Sequence, residues 1–185
     1  MSDGVPARRP PDVKALLAAL VAGEVRFVLA GSVAAMVHGV ELTPGDLDVT
    51  PDLQPANLQR LIAVLDGVGA CPESLGHWER SPDGERRWIT EDNSPEALAA
   101  WRADPANPAT LDHLFLTHLG DLDVVPELVG RYDVLAGKAV PRTAFGQQLL
   151  VAHVDDLLSR LTVPRREKDI ERVRRLREIQ GHPTG

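Results

Sequence analysis

The order of its hydrophobic patterns predicts that this 185-residue chain is an α/β (α+β) protein, a mixed β-sheet flanked by helices. In the first half, segments with helical spacing alternate with short buried strands, and in the second half the strands cluster. Apolar residues make up 43% of the chain and charged residues 25%, which is the composition of an ordinary globular protein. We therefore expect a single domain over residues 1–185, with residues 153–180 as a helical appendage packed on it.

Five elements are predicted in the first half of the chain. The first is a helix, because Val13, Leu16 and Leu20 recur at the spacing of an amphipathic helix packed on a core. The second helix follows Gly31-Ser32 and ends before Gly39, a residue type that commonly follows helices. The elements are, in order, a helix carrying Val13–Val21, a strand over Arg26–Ala30, a helix over Val33–His38, a strand over Asp46–Thr50 and a helix from about Pro55 to Val68.

The second half is predicted to contain a hairpin, a short helix, three more strands and two closing helices. The hairpin spans His77–Ile89 and turns at the Ser-Pro-Asp-Gly sequence of residues 81–84. Ser94-Pro95-Glu96 combines a capping residue with a first-turn proline and therefore starts a helix. The remaining elements are strands over Leu111–Leu119, Leu122–Val125 and Gly146–Val151, and helices over Asp155–Leu161 and Arg165–Gln180.

Charge and hydropathy exclude some function classes. No apolar run approaches the roughly 18 residues of a membrane helix, and Arg8-Arg9 precede an amphipathic helix rather than a signal peptide, which favours a cytoplasmic protein. Cys71 is the one cysteine, so an internal disulfide framework is excluded. The net charge of −7 argues against bulk electrostatic binding of nucleic acid. Residues 160–178, however, carry eight basic and four acidic side chains, which either meet phosphates or pair with the acidic body.

The pentapeptide Gly-Asp-Leu-Asp-Val occurs twice, at residues 45–49 and 120–124, with different flanks. In a strand, residues two apart point to the same side, so Asp46 and Asp48 share one face while Leu47 enters the core. Two neighbouring carboxylates suit a divalent cation, because Mg²⁺ is held by one or two carboxylates plus substrate phosphates. The alternative is that these aspartates are solvated residues on an exposed face of the sheet.

A third carboxylate comes from the second copy of the pentapeptide. We assign Asp121 to the turn at Gly120-Asp121, whereas Asp123 lies inside the following strand, on the face opposite Leu122. A third acid on a neighbouring strand would make room for a second metal ion and for in-line displacement at phosphorus.

Gly31-Ser32 lies between a buried strand and a helix. Such a turn presents backbone N–H groups and a hydroxyl at the positive end of the helix dipole, which is an anion site apt for a triphosphate. The alternative is a plain capped helix with Ser32 as the N-cap residue.

These segments together resemble the signature of the polymerase-β-type nucleotidyltransferase superfamily, in the style of its minimal, aminoglycoside-modifying and toxin-type members. The resemblance covers Ala30–Gly39 and Gly45–Val49 at the front. At the end, Gly146–Leu158 followed by Arg166, Lys168 and Asp169 is similar to the closing strand and helices of these proteins.

The resemblance implies a nucleotidyltransferase-like mixed sheet and the transfer of a nucleoside monophosphate from a nucleoside triphosphate (NTP), ATP among them, to a hydroxyl acceptor. It implies that Asp46 and Asp48 bind two Mg²⁺ ions and that Asp123 ligates the catalytic ion and acts on the acceptor hydroxyl. It further implies that Asp169 holds the closing helix in place. The nucleotide-binding residues that it implies are Gly31, Ser32, Arg166 and Lys168. The acceptor is left open among a small molecule, a protein and tRNA.

The chain departs from the pattern at three positions where relatives carry polar or basic residues: Leu42, Pro44 and Leu161. These departures favour a second interpretation, in which a catalytically impaired protein of this fold binds a nucleotide or a partner chain, for example in a toxin–antitoxin pair. Residues 71–109, which contain Trp78, Trp88 and Trp101, have no counterpart in the pattern and could build an acceptor pocket.

Overall fold

The computed structural model describes residues 7–82, 86–127, 130–161 and 167–181, with the backbone alone at Glu167 and Lys168. The strands are β1 Phe27–Leu29, β2 Leu47–Pro51, β3 Cys71–Pro72, β4 Gly76–Arg80, β5 Arg86–Thr90, β6 Leu114–Thr117, β7 Gly120–Val124, β8 Val140–Ala144 and β9 Gln147–Val151. The helices are α1 Val13–Ala22, α2 Gly31–Val37, α3 Pro55–Gly67, α4 Pro95–Ala100, α5 Tyr132–Ala136, α6 Val154–Arg160 and α7 Glu167–Gly181, with a 3₁₀ turn at Pro108–Leu111.

A seven-stranded mixed sheet in the order β3-β6-β7-β2-β1-β9-β8 forms the centre of the molecule. Strand β2 runs parallel to β7, and β1 runs parallel to β9, whereas the other pairs in this sheet are antiparallel. The predicted fold class, a mixed sheet flanked by helices, is thereby confirmed.

The core lies between this sheet and the helices. Leu47 and Leu122 are fully buried in the two central strands, and the apolar stripes of α1 and α3 pack in the same cluster. Burial of one leucine side chain contributes roughly 1.5–3 kcal/mol, so the alternation in β2 and β7 fixes which face of each strand turns outward. Leu157 of α6 and Leu176 of α7 join the same cluster.

The first described residues form a strap, residues 7–12, that docks on the turn between β6 and β7. The Asp12 backbone N–H donates to the Leu119 carbonyl at 2.7 Å, and Arg9 Nη2 donates to the Thr117 carbonyl at 2.7 Å. Gly120 has φ +101°, and a Cβ there would lie 2.4 Å from the Pro10 carbonyl oxygen. Only glycine therefore allows the strap to approach β7 this closely.

Strands β4 and β5 form a separate hairpin, as predicted. Trp88 anchors it, because its ring stands edge-on to His113 with the ring centres 5.5 Å apart. Trp101 of the following segment packs against Phe115 of β6 at a similar distance of 5.5 Å. The hairpin is thus attached to the main sheet through aromatic contacts rather than strand pairing.

Some element boundaries differ from the sequence-based predictions. The β6–β7 turn lies at His118-Leu119, so β7 begins at Gly120 and not at Leu122. Strands β3 and β8 and helix α5 were not predicted, because β3 has two residues, β8 shows mostly exposed side chains and α5 is five residues long. Within the described ranges, no helix has the length and apolar character that crossing a membrane requires.

Candidate functional site

The two copies of the pentapeptide lie side by side. Strands β2 and β7 are parallel neighbours, and Asp48 pairs with Asp123 in their register, flanked by the pair of Leu47 with Leu122. Because side chains alternate along a strand, the carboxylates of Asp48 and Asp123 turn to the face opposite the buried leucines. Asp46 immediately precedes β2, on the same side of the alternation. The fold therefore gathers the three carboxylates that the sequence singled out.

The pKa values of these carboxyl groups reflect their burial and their charges on one another. Burial, together with the negative charge of Asp46, raises the pKa of Asp48 to about 7. Burial also raises the pKa of Asp123 to about 8, with additional contributions from Asp48 and Asp46. Each of the three side chains nevertheless keeps part of its surface exposed. Mutual repulsion in a partly enclosed space favours a bound positive charge.

Gly31 and Ser32 lie directly against Asp48. Gly31 has φ +60°, and a Cβ at that position would fall 1.8 Å from Asp48 Oδ2, so no other residue type fits. The Ser32 backbone N–H donates a hydrogen bond to the Asp48 carboxylate, which lowers the pKa of that group. Ser32 is also the second residue of α2, whose N-cap is Ala30, so the interpretation of Ser32 as the capping residue is wrong.

Asp121 behaves differently from the other three aspartates. The sequence placed it in a turn, but it lies in β7 and is 1% exposed. Arg8 Nε donates to Asp121 Oδ2 at 2.9 Å, and the Arg9 backbone N–H donates to Asp121 Oδ1 at 3.1 Å. The N-terminal strap thus neutralises and hydrogen-bonds this carboxylate, which gives it a structural role.

Two arginines that sequence reasoning did not assign to the site act electrostatically on its carboxylates. Arg160 at the end of α6 and Arg172 in α7 both lower the pKa of Asp48, and Arg160 also lowers that of Asp123. Arg166 lies outside the described residues, and Lys168 is in the first turn of α7, where the backbone alone is described. The spacing of Arg172 from Asp169 along α7 was the signal that could have revealed it.

The hairpin borders the Asp123 side of the site. Asp112 contributes to the raised pKa of Asp123, and Arg86 Nη2 pairs with Asp112 Oδ2 at 3.1 Å. The guanidinium of Arg86 also lies over the ring of Trp78, 4.9 Å from its centre. Trp78 is 44% exposed. An aromatic surface therefore adjoins the carboxylates, built from the segment that the resemblance left unmatched.

The carboxylates of this site can be compared with the ligands that Mg²⁺ requires. Across the described ranges, no three side chains of the His, Cys, Asp and Glu types are arranged to hold an ion by themselves. Mg²⁺ is typically held by one or two carboxylates while substrate phosphates and water complete its octahedral shell. Asp48 and Asp123, whose backbones are paired in register on neighbouring strands, fit that requirement if a phosphate supplies further ligands.

Comparison with known proteins supports the fold. No family model matches the chain, and no curated protein matches it by sequence. Among solved structures, it is similar to the solution structure of the antibiotic-resistance factor ANT(2'')-Ia, an aminoglycoside nucleotidyltransferase. The TM-score is 0.53 and the identity 15%, over 90% of this chain and 80% of that one. The fold is nucleotidyltransferase-like.

Proposed function

We propose that the protein is an Mg²⁺-dependent nucleotidyltransferase, which moves a nucleoside monophosphate from an NTP to a hydroxyl acceptor. The observation that carries this proposal is the pairing of Asp48 with Asp123 beside the Gly31-Ser32 turn. An oxygen-rich cation site next to backbone N–H donors is the combination that a metal-bound triphosphate requires. The similarity in fold to a nucleotidyltransferase supports the same reaction class.

Each residue has a role in this scheme. Asp46 and Asp48 would bind two Mg²⁺ ions, with Asp123 as a further ligand. When bound, the ions would neutralise the phosphate oxygens and polarise the bond that breaks. Gly31 and Ser32 would bind the β- and γ-phosphates, and Arg166 and Lys168 would add positive charge beside them. On the acceptor side, the carboxylate of Asp123 would accept the proton of the attacking hydroxyl.

The proposed reaction divides the NTP into a nucleoside monophosphate, which is joined to the acceptor, and pyrophosphate, which is released. The acceptor oxygen attacks the α-phosphorus, the bond to the β-phosphate bridging oxygen breaks, and pyrophosphate leaves with that electron pair. Most of the rate enhancement would come from positioning and from charge stabilisation, because the protein forms no covalent bond in this scheme.

A second candidate is a protein of the same fold that binds a nucleotide or a partner chain without catalysis, for example within a toxin–antitoxin pair. It is favoured by apolar or cyclic side chains at Leu42, Pro44 and Leu161, where relatives carry polar or basic ones. Product analysis separates the two candidates, because only the enzyme transfers label from an NTP.

The experiment uses the four NTPs labelled at the α-phosphate, with aminoglycosides, tRNA and purified proteins as separate acceptor pools. We expect Mg²⁺-dependent transfer of label to one pool, lost in Asp123→Asn. Nucleotide binding without transfer to any pool would favour the non-catalytic candidate. Equal transfer by the wild type and the variant would contradict the role of Asp123.

A further inference from the structure

Helix α7 presents one face to the body of the protein. Asp169, Arg172, Leu176 and Ile179 recur at the spacing of a single helical stripe. Asp169 is 4% exposed, Leu176 is fully buried, and Ile179 packs against the core cluster. Because Arg172 belongs to this stripe, it lies on the face of α7 that packs against the rest of the protein.

The arginines on the outer face of α7 have different surroundings. Arg174 donates to Glu171 at 2.9 Å and to Glu178 at 2.5 Å, and Arg175 donates to Glu171 at 2.9 Å. These arginines therefore form exposed ion pairs with glutamates of the same helix, and their charges are balanced on its outer surface.

Arg172 is not part of that network. Its Nε atom is buried and makes no hydrogen bond to any residue in the described part of the chain. Its positive charge lowers the pKa of Asp48, the central acid of the proposed site. Ile179, two turns further along the same stripe, lies 4.0 Å from the position of a Cβ at Gly39, just beyond the end of the helix that begins at Gly31 beside Asp48. A buried N–H without an acceptor costs free energy, so Arg172 would be stabilised by an anion that reaches its guanidinium.

Charge balance gives the ligand its chemical class. Three carboxylates and a triphosphate of about four negative charges outweigh two Mg²⁺ ions by about three charges. Further cations are therefore needed before such a complex is stable in a partly enclosed site. The charges of Arg172 in α7 and of Arg160 at the end of α6 both act on Asp48 and could supply this balance.

We propose that Arg172 binds the phosphate chain of the NTP, beyond the α-phosphate, and so helps the site to select triphosphates over monophosphates. This inference rests on the proposed function, because it places the phosphates next to Asp48. A guanidinium presents several N–H donors in a fixed plane and can bind two phosphate oxygens at once. Arg172 is thus a substrate-binding residue that no sequence motif indicated.

The test measures nucleotide affinity in Arg172→Met, which keeps an apolar side chain of similar length. Arg175→Met is the matched control, because it removes a paired arginine from the outer face of the same helix. The probes are whichever of ATP, CTP, GTP and UTP binds the wild type most tightly with Mg²⁺, the monophosphate of the same nucleoside, and pyrophosphate.

We expect Arg172→Met to bind the triphosphate about 10- to 100-fold more weakly, as for loss of a charged hydrogen bond, and to bind pyrophosphate more weakly as well. Affinity for the monophosphate should stay within about twofold, and Arg175→Met should match the wild type for all probes. Arg172→Lys, which keeps a point charge, should fall between Arg172→Met and the wild type.

Two results would overturn the inference while leaving the proposed function intact. One is unchanged triphosphate affinity in Arg172→Met, and the other is an equal loss for triphosphate and monophosphate, which indicates a structural role. A wild-type protein that binds none of the probes would instead contradict the proposed function, and the inference with it.

Discussion

The same five residues, Gly-Asp-Leu-Asp-Val, form two neighbouring strands of this protein and have different partners in each. In the first copy, Asp46 and Asp48 lie with Asp123 in a cluster of mutually repelling carboxylates. In the second copy, Asp121 is buried and bound by Arg8 and by the backbone of the N-terminal strap. The glycines differ as well, since Gly45 has open space around it whereas Gly120 lies against Pro10.

This difference shows that the pentapeptide by itself does not determine a carboxylate's role. The partner of Asp121 comes from a segment more than 100 residues away in the sequence. An aspartate that receives a guanidinium and a backbone N–H becomes part of the structure, while one left among other carboxylates is available to a cation. Substitutions at the aspartates and glycines of the two copies test this difference.

The largest effect is expected on nucleotidyl transfer. Asp48→Asn should lower the rate of Mg²⁺-dependent transfer about 100-fold or more, because it removes charge stabilisation of the reacting phosphate. Asp121→Asn, which changes the buried aspartate that the strap holds, should retain the rate within about threefold when assayed well below its melting temperature. Comparable losses in both variants would contradict the different roles assigned to Asp48 and Asp121.

A second effect concerns stability without added metal. The pKa values of Asp48 and Asp123, about 7 and about 8, lie above the unfolded-state value of about 4. The unfolded chain therefore loses these protons first, so this contribution to stability is present below about pH 4 and is lost as the pH rises through about 7 to 8.

Chemical unfolding of the wild type and Asp48→Asn across this pH range measures that contribution. The variant should gain stability relative to the wild type as the pH rises, by on the order of 2 kcal/mol at pH 8. Added Mg²⁺ should reduce the difference. A constant difference from pH 4 to pH 8 would show that Asp48 keeps an ordinary pKa.

The glycines provide the third comparison. Gly120→Ala should destabilise the protein by about 2 kcal/mol or more, because its φ of +101° and the approach of Pro10 leave no room for a Cβ. Gly45→Ala should change the free energy of unfolding by about 0.5 kcal/mol or less, since nothing lies within 4 Å of the new methyl group. Urea denaturation of both variants checks the contrast, and equal losses would mean that the strap does not pack on β7.

The smallest effect is expected for the Arg8–Asp121 ion pair. Asp121→Asn should lower the free energy of unfolding by about 1–2 kcal/mol, the value of a charged hydrogen bond, reduced by the exposure of Arg8. In the Arg8→Met background the same substitution should cost less, which a double-mutant cycle measures. Additive losses would show that the pair is not coupled.

Much of the fold could be predicted because its signals are local. The alternation of Leu47 with Asp48 and the spacing of Leu58 and Leu61 each lie within one element, so periodicity reveals them. Strand β8 escaped prediction because Pro141 and Arg142 are exposed at the edge of the sheet and follow no apolar alternation. The parallel register of β2 and β7 depends on long-range packing, which no local pattern encodes.

The site shows the same limit. Asp46, Asp48 and Asp123 were recognisable from strand alternation, and Gly31 from its place between strand and helix. Asp121 was assigned to a turn because Gly120-Asp121 was interpreted as the link between two strands, and the strap that holds it is too distant in sequence to give a local signal. Arg172 was hidden among similar arginines, and only the burial of neighbouring residues in α7 separates it from Arg174.

The most direct test of the central claim, that Asp48 and not Asp121 belongs to a metal–triphosphate site, is thermal unfolding with each NTP, with and without Mg²⁺. The proteins compared are the wild type, Asp48→Asn and Asp121→Asn. At about 100 times its Kd, a ligand adds roughly 2.7 kcal/mol, or about 5–10 °C for a chain of this size. We predict an Mg²⁺-dependent rise of that size in the wild type and Asp121→Asn and its loss in Asp48→Asn. The same rise in all three proteins, or in none, would contradict the claim.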